Sequence, residues 1–186
     1  MLLNENALKI LSEFSSDYSK RIYGRQVAEK LKMNQKTVSN TLNTLEGEHI
    51  LKYTTEGKNK YYFLNKLNSQ IGDILKIVEF GRKNMFLEKY SKLRGLFLEL
   101  EKRTKGMLVI FGSYANFTSN EKSDLDVFII GSIKEVEDLE DKYNIKINVI
   151  KSTTEKFNKS EVFIKEVLKN HIILKGVEEF IELTWQ

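Results

Sequence analysis

Four residues in the C-terminal half of the chain have the types and spacing that metal and phosphate chemistry requires. Gly112 and Ser113 follow the apolar run 107–111, and after ten intervening residues Asp124 and Asp126 begin a second apolar run. Side chains alternate along a strand, so the two aspartates project from the same face. Two close carboxylates repel each other unless a cation lies between them, and Mg²⁺ and Mn²⁺ prefer oxygen ligands. Gly112 allows a phosphate to approach the backbone, where Ser113 and neighbouring N–H groups can donate hydrogen bonds.

Strand and helix patterns alternate around these residues. The segments after the second apolar run predict a helix over 134–143, a strand over 145–150, a helix over 156–168 and a closing element over 171–180. Such alternation predicts an α/β layer built on a small mixed sheet.

A glycine–serine pair is followed by ten residues and then by Asp-x-Asp, and both halves of this motif stand at strand edges. The motif resembles the signature of the minimal DNA polymerase beta-like nucleotidyltransferases. The resemblance covers residues 84–186. It implies that Asp124 and Asp126 are catalytic and hold Mg²⁺ or Mn²⁺, and that Gly112 and Ser113 bind the phosphates of a nucleoside triphosphate. A nucleoside monophosphate would then pass to an acceptor hydroxyl while pyrophosphate leaves.

One position departs from the family pattern. Active members carry a third carboxylate on the third strand, which helps to deprotonate the attacking hydroxyl and binds a second metal. The matching position here is Asn148. An amide oxygen can ligate a cation but is a poor proton acceptor. Glu155, just past the strand, is the other candidate for this role, so the resemblance implies nucleotide and metal binding and leaves catalysis open.

The N-terminal residues have a different pattern. The predicted elements are a helix over 4–15, a short strand at 22–23, a helix over 24–31, a helix from Gln35 capped by Asn34, and two strands over 50–55 and 61–64 that flank a basic, glycine-containing turn. This order resembles the winged helix-turn-helix regulators of bacteria and archaea, and the resemblance covers residues 5–65.

The winged-helix resemblance implies that double-stranded DNA is a partner. Amide, hydroxyl and lysine side chains on the exposed face of the third helix suit base edges and phosphates in the major groove, and the basic hairpin turn suits the DNA backbone. The predicted DNA contacts are Arg25, Gln35, Lys36, Thr37, Ser39, Asn40, Asn43, Lys58 and Lys60. The alternative is that the winged helix serves as a protein-interaction module.

Helical segments join the two parts. Apolar spacing predicts a helix over 66–82 that Gly81 interrupts, and a second helix from Asn84 to Lys102. We therefore expect an α+β chain in which a winged helix, mostly α with a β-hairpin, spans 1–65, a connector helix spans 66–83 and an α/β nucleotidyltransferase domain spans 84–186. A helix after the hairpin often forms the dimer contact in winged-helix regulators, which makes a homodimer an expectation.

Composition narrows the chemistry and the location. The absence of cysteine excludes thiol catalysis and thiolate zinc sites, and the two histidines are far apart in sequence. No apolar stretch is long enough to span a membrane, so we expect a cytoplasmic protein without a membrane partner. Basic residues outnumber acidic ones by 10 to 7 over residues 1–65, whereas acidic residues outnumber basic ones by 14 to 10 over 107–186. This asymmetry fits a first part that faces nucleic acid and a last part that attracts cations.

These features support two functions. The first is a DNA-binding protein whose nucleotidyltransferase domain binds NTP and Mg²⁺ and transfers a nucleoside monophosphate to a protein or RNA acceptor. The second is a transcriptional regulator whose transferase domain is catalytically degenerate and only senses nucleotide. Asn148 is the residue that favours the second function.

Overall fold

A computed structural model describes residues 3–185 of the chain. It contains helices and two small sheets, which confirms the predicted α+β class. The chain forms two compact units, of which the first ends at Val78 and the second begins at Glu79. Within residues 3–185, no helix is both long and apolar enough to cross a membrane.

Before the start of α4, the described part of the first unit consists of three short helices and a three-stranded antiparallel sheet. Its elements are α1 (Glu5–Leu11, continued by a 3-10 turn at Ser12–Phe14), β1 (Ile22–Tyr23), α2 (Gly24–Leu31), α3 (Gln35–Gly47), β2 (Leu51–Glu56) and β3 (Asn59–Leu64). The sheet order is β1-β3-β2. The Asn34 side chain accepts a hydrogen bond from the Lys36 N–H at 2.8 Å, so it caps α3 as the sequence predicts.

The connecting helices differ from the prediction. Helix α4 (Ile71–Lys89) passes through Gly81 without a break, so the expected interruption there and the expected helix start at Asn84 are wrong. A glycine in a helix interior lowers the stability of the helix by only about 1 kcal/mol relative to alanine. Burial of apolar residues on either side, such as Leu75 and Phe86, offsets that loss. The break comes instead at Tyr90, before a 3-10 turn (Ser91–Leu93).

The second unit is an α/β layer. After α5 (Arg94–Arg103) its elements are β4 (Thr104–Phe111), α6 (Gly112–Ala115), β5 (Leu125–Ile133), α7 (Glu137–Tyr143), β6 (Ile147–Ser152), α8 (Val162–Lys169), β7 (His171–Lys175) and α9 (Val177–Thr184). The sheet order is β6-β5-β4-β7, with β5 and β6 parallel and the other pairs antiparallel. The predicted helix over 156–168 begins later, at Val162, and the closing element consists of β7 and α9.

Strand alternation gives the two faces of this sheet different roles. Leu125 and Val127 of β5 join a buried cluster with Phe86, Phe97 and other residues of the helices on one face. Asp126, between them, must therefore project from the opposite face. The apolar neighbours of Asp126 in sequence hold β5 against the core and thereby fix the direction of the aspartate.

We predict that Phe97→Ala lowers the free energy of unfolding by about 3–5 kcal/mol, because a fully buried aromatic side chain is replaced by a cavity. The adjacent Leu98 is 52% exposed on the same helix, so Leu98→Ala should change stability by less than about 0.5 kcal/mol. Urea denaturation followed by circular dichroism measures both values. Equal losses in the two variants would contradict the described core.

Candidate active site

The pairing of β4 with β5 brings the glycine–serine turn next to one of the two aspartates. Phe111 is the register partner of Asp126, so Gly112 follows directly beside that carboxylate. Gly112 has a φ of +68°, and a Cβ at this position would collide with the Asp126 carboxylate. Glycine is therefore required here for two reasons, its backbone conformation and the space that the carboxylate occupies.

Hydrogen bonds close the loop between Gly112 and Asp124. The Thr118 N–H donates to the Ser113 carbonyl at 3.0 Å. The end of α4 also holds the loop, because the Lys89 ammonium donates to the Phe117 carbonyl at 2.6 Å and the Tyr90 hydroxyl lies 2.7 Å from the Ser119 hydroxyl. These contacts fix the ten residues that separate the two halves of the motif.

The position that the family pattern gives to a third carboxylate lies beside the two aspartates. Asn148 of β6 is the parallel register partner of Asp126. Its amide nitrogen donates to an Asp126 oxygen at 3.0 Å and lies 3.4 Å from an Asp124 oxygen. The carboxylates of Asp124 and Asp126 therefore converge on one amide group.

Lys146 is a residue of the site that the sequence analysis missed. Its ammonium lies 3.8 Å from an Asp124 oxygen, and the side chains are 69% and 42% exposed. Lys146 immediately precedes β6 and stands two residues before Asn148. Its carbonyl accepts a hydrogen bond from the Leu125 N–H at 2.8 Å, so the pairing with β5 already begins here and carries both side chains toward the same face. That spacing is the signal that would have identified it.

The donor set suits a single hard cation. Two carboxylates provide oxygen ligands of the kind that Mg²⁺ and Mn²⁺ prefer, and the missing Cβ of Gly112 lets the Asp126 carboxylate lie against the glycine–serine turn. Among residues 3–185 there is no group of three or more acidic, histidine or cysteine side chains that could hold a metal. Asp124 and Asp126 form a pair that lies on either side of one amide group and could provide two of the metal's ligands.

Glu155 does not take the place of the missing carboxylate. Strand β6 ends at Ser152, four residues past Asn148, so it carries the chain about 13 Å away before Glu155 is reached. Glu155 lies in a 3-10 turn, where a hydrogen bond from Thr153 lowers the pKa of its carboxyl. The alternative in which Glu155 returns to the site is therefore wrong.

Two aromatic residues near the motif pack into the core. Tyr114 is buried, and Phe117 packs against the same cluster. Burial, with smaller contributions from Tyr90 and Asp124, raises the pKa of the Tyr114 phenol above its ordinary value, so the phenol stays protonated at neutral pH.

The residues predicted to contact DNA lie on one part of the first unit. Five of them line a surface groove of about 260 Å³ between α2, α3 and the β2–β3 hairpin: Arg25, Gln35, Ser39, Lys58 and Lys60. Lys36 and Asn40 are exposed on α3, and Thr37 is half-buried. Asn43 is also exposed, although its amide oxygen accepts a hydrogen bond from the Tyr62 hydroxyl at 3.1 Å.

Comparison with known proteins identifies the family of the second unit. This sheet and the carboxylates at its strand edges suggest a domain of the nucleotide-transferring class. The family described as "Nucleotidyltransferase domain" matches residues 90–183, just over half of the chain. The chain therefore belongs to the nucleotidyltransferase domain family.

Other comparisons add little. A solved structure described as "Crystal structure of the toxin-antitoxin with AMP-PNP" is similar at 18% identity and covers 52% of this chain and 78% of that chain, with a TM-score of 0.36. A likeness of that degree carries no argument about function. No curated protein matches the chain.

We predict that Gly112→Ala abolishes binding of an ATP–Mn²⁺ complex without unfolding the chain. The new methyl group meets the Asp126 carboxylate and a strained backbone, so the turn must move away from the aspartate. Gly72→Ala is the matched control, because a Cβ there meets nothing within 4 Å. Isothermal titration calorimetry measures binding, and unchanged affinity in Gly112→Ala would contradict the role of this turn.

Proposed function

We propose that the second unit is a metal-dependent nucleotidyltransferase that binds a nucleoside triphosphate and transfers its nucleoside monophosphate to a protein or RNA acceptor. The observation that supports this most directly is that Asp124 and Asp126 converge on the Asn148 amide, with Gly112 beside Asp126. The family to which the chain belongs uses this chemistry, and the acidic balance of residues 107–186 favours a bound cation.

Each residue has a defined task in the proposed reaction. Asp124 and Asp126 hold Mg²⁺ or Mn²⁺, which when bound offsets the negative charge on the phosphates. Gly112 and Ser113 offer backbone N–H groups and a hydroxyl to the β and γ phosphates. An acceptor oxygen forms a bond to the α phosphorus, the bond from that phosphorus to pyrophosphate breaks, and the acceptor proton passes to solvent.

Asn148 affects one step of the proposed reaction, the removal of the proton from the acceptor hydroxyl. Its amide cannot take the proton of the attacking hydroxyl at neutral pH, so the position of the family's third carboxylate provides no general base. The second candidate function is therefore a regulator whose second unit binds nucleotide without turnover. Transfer of label separates the two functions, because both predict nucleotide binding and only the first predicts product.

We predict that the purified chain, incubated with Mg²⁺ or Mn²⁺ and each α-labelled NTP, transfers label to a protein or RNA acceptor from a cell extract. Asp126→Asn should reduce transfer at least about 100-fold, because a neutral amide replaces a metal ligand. Asp141→Asn is the control, since Asp141 is exposed on α7 and should leave the rate unchanged.

The outcomes of this assay decide between the two functions. Metal-dependent binding without label transfer to any acceptor favours the sensor. Absence of both binding and transfer contradicts the proposal that the second unit uses NTP.

We also propose that the first unit is a winged helix that binds double-stranded DNA. The order of helices and strands and the hairpin after α3 support this, as do the exposed amide and hydroxyl groups of α3. Helix α3 would lie in the major groove, with Lys58 and Lys60 of the hairpin against phosphates. We also propose a cytoplasmic location, as expected for a regulator of the kind found in bacteria and archaea.

We also propose that the chain divides into a winged helix over 1–65, a connector helix over 66–83 and a nucleotidyltransferase domain over 84–186. A homodimer is a further part of the proposal. The homodimer is supported by two apolar residues of α4, because Phe80 is 50% exposed and Met85 is 52% exposed. A symmetric dimer would present two copies of α3 to two half-sites of DNA.

We predict salt-sensitive binding to duplex DNA that Lys60→Ala weakens. Loss of one phosphate contact reduces the slope of log K against log salt by about 1. Lys60 pairs with Thr55 across the hairpin, and Tyr62 pairs with Tyr53. Side chains two positions apart on a strand project from the same face, so Lys60 lies on the face of Tyr62. Lys52 projects from the opposite face, which makes Lys52→Ala the matched control.

Fluorescence anisotropy over a salt series gives both slopes. Identical slopes for wild type, Lys60→Ala and Lys52→Ala would contradict the assigned DNA surface. The protein-interaction alternative predicts no salt-sensitive DNA binding at all.

A further inference from the structure

Two positively polarised groups already face the carboxylate pair. The Asn148 amide N–H group lies between Asp126, at 3.0 Å, and Asp124, at 3.4 Å. The Lys146 ammonium lies 3.8 Å from an Asp124 oxygen. Asn148 lies in β6 and Lys146 immediately precedes that strand, whereas Gly112, which directly follows β4, lies against Asp126.

Asp126 therefore has a side toward β4 and the turn that follows it, and a side toward β6. On the β4 side, the missing Cβ of Gly112 lets the Asp126 carboxylate lie against the glycine–serine turn, which carries no positively charged side chain. On the β6 side an amide hydrogen points at the oxygen atoms, and a hydrogen-bond donor cannot share that position with a cation. The two sides differ in what they can bind.

The number of acidic ligands also argues against a second cation at this site. A divalent cation takes six or more oxygen ligands, and sites with two metals share carboxylates between the ions. Here two carboxylates are available, with no third acidic side chain among the described residues to complete a second ion's ligands. Lys146 instead brings one positive charge on a flexible, mostly exposed stem.

We propose that this site holds one divalent cation per bound nucleotide, and that the Asn148 amide and the Lys146 ammonium occupy the place where a second cation would otherwise bind. This inference rests on the proposed nucleotide-binding function. The amide holds the two carboxylates together on the β6 side, and the ammonium turns from Asp124 to a phosphate when nucleotide arrives. Lys146 thus supplies part of the positive charge that a second cation would supply.

Native mass spectrometry of the full chain with Mn²⁺ and a non-hydrolysable ATP analogue counts the ions in each protein–nucleotide complex. We expect one Mn²⁺ for the wild type and two for Asn148→Asp, which restores a third carboxylate beside Asp126. Asn158→Asp adds the same charge at an exposed position outside the site and should still bind one ion.

Calorimetry tests the charge of Lys146 separately. Lys146→Ala should weaken binding of the Mn²⁺–analogue complex on the order of tenfold, as expected for loss of one charge near a solvated phosphate. Lys146→Arg, which keeps the charge, should restore most of that affinity. Lys151→Ala is the control, because Lys151 projects from the opposite face of β6.

The outcomes distinguish this inference from the function on which it rests. Two ions in the wild type, or one ion in a folded Asn148→Asp variant, would overturn the assignment of Asn148. Wild-type affinity in Lys146→Ala would overturn the assignment of Lys146. Nucleotide binding would persist in all three cases, so the proposed function would stand. If the wild type binds neither Mn²⁺ nor the analogue, both the function and this inference fail.

Discussion

The register between β4 and β5 is the constraint on which the candidate site depends. Pairing of Phe111 with Asp126 places the end of one strand beside the start of the other, and the missing side chain of Gly112 leaves room for the carboxylate. A shift of one residue would turn Asp126 into the core and expose Val127 or Leu125. Because both of those residues are fully buried, the hydrophobic core resists such a shift. The packing of apolar side chains thereby fixes the position of a charged one.

The electrostatics of the site follow from its position at strand ends. Two carboxylates on one face are held within reach of a single amide, which reduces their mutual repulsion without neutralising them. Lys146 adds a largely exposed positive charge from the residue immediately before the edge strand β6. These are conditions under which a cation and a polyphosphate bind together, since each offsets the charge that the other brings.

Much of this arrangement could be predicted from the sequence because it depends on local rules. Strand alternation gives the common face of Asp124 and Asp126, and capping by Asn34 gives the start of α3. The continuous α4 could not be predicted, because burial of Leu75 and Phe86 outweighs the preference of Gly81 for a break. Asn148 was found by matching a family pattern. Lys146 was missed because its importance depends on β6 lying parallel to β5, a pairing between segments distant in sequence.

Paramagnetic NMR would test the central claim most directly. Amide spectra of the ¹⁵N-labelled chain are recorded with a non-hydrolysable ATP analogue and a small amount of Mn²⁺, which broadens signals near the bound ion. The account predicts that broadening centres on the amides of residues 112–114, 124–126 and 146–148, because β4, β5 and β6 bring these three segments together. Broadening centred elsewhere, for example on the acidic helix α7, would contradict it.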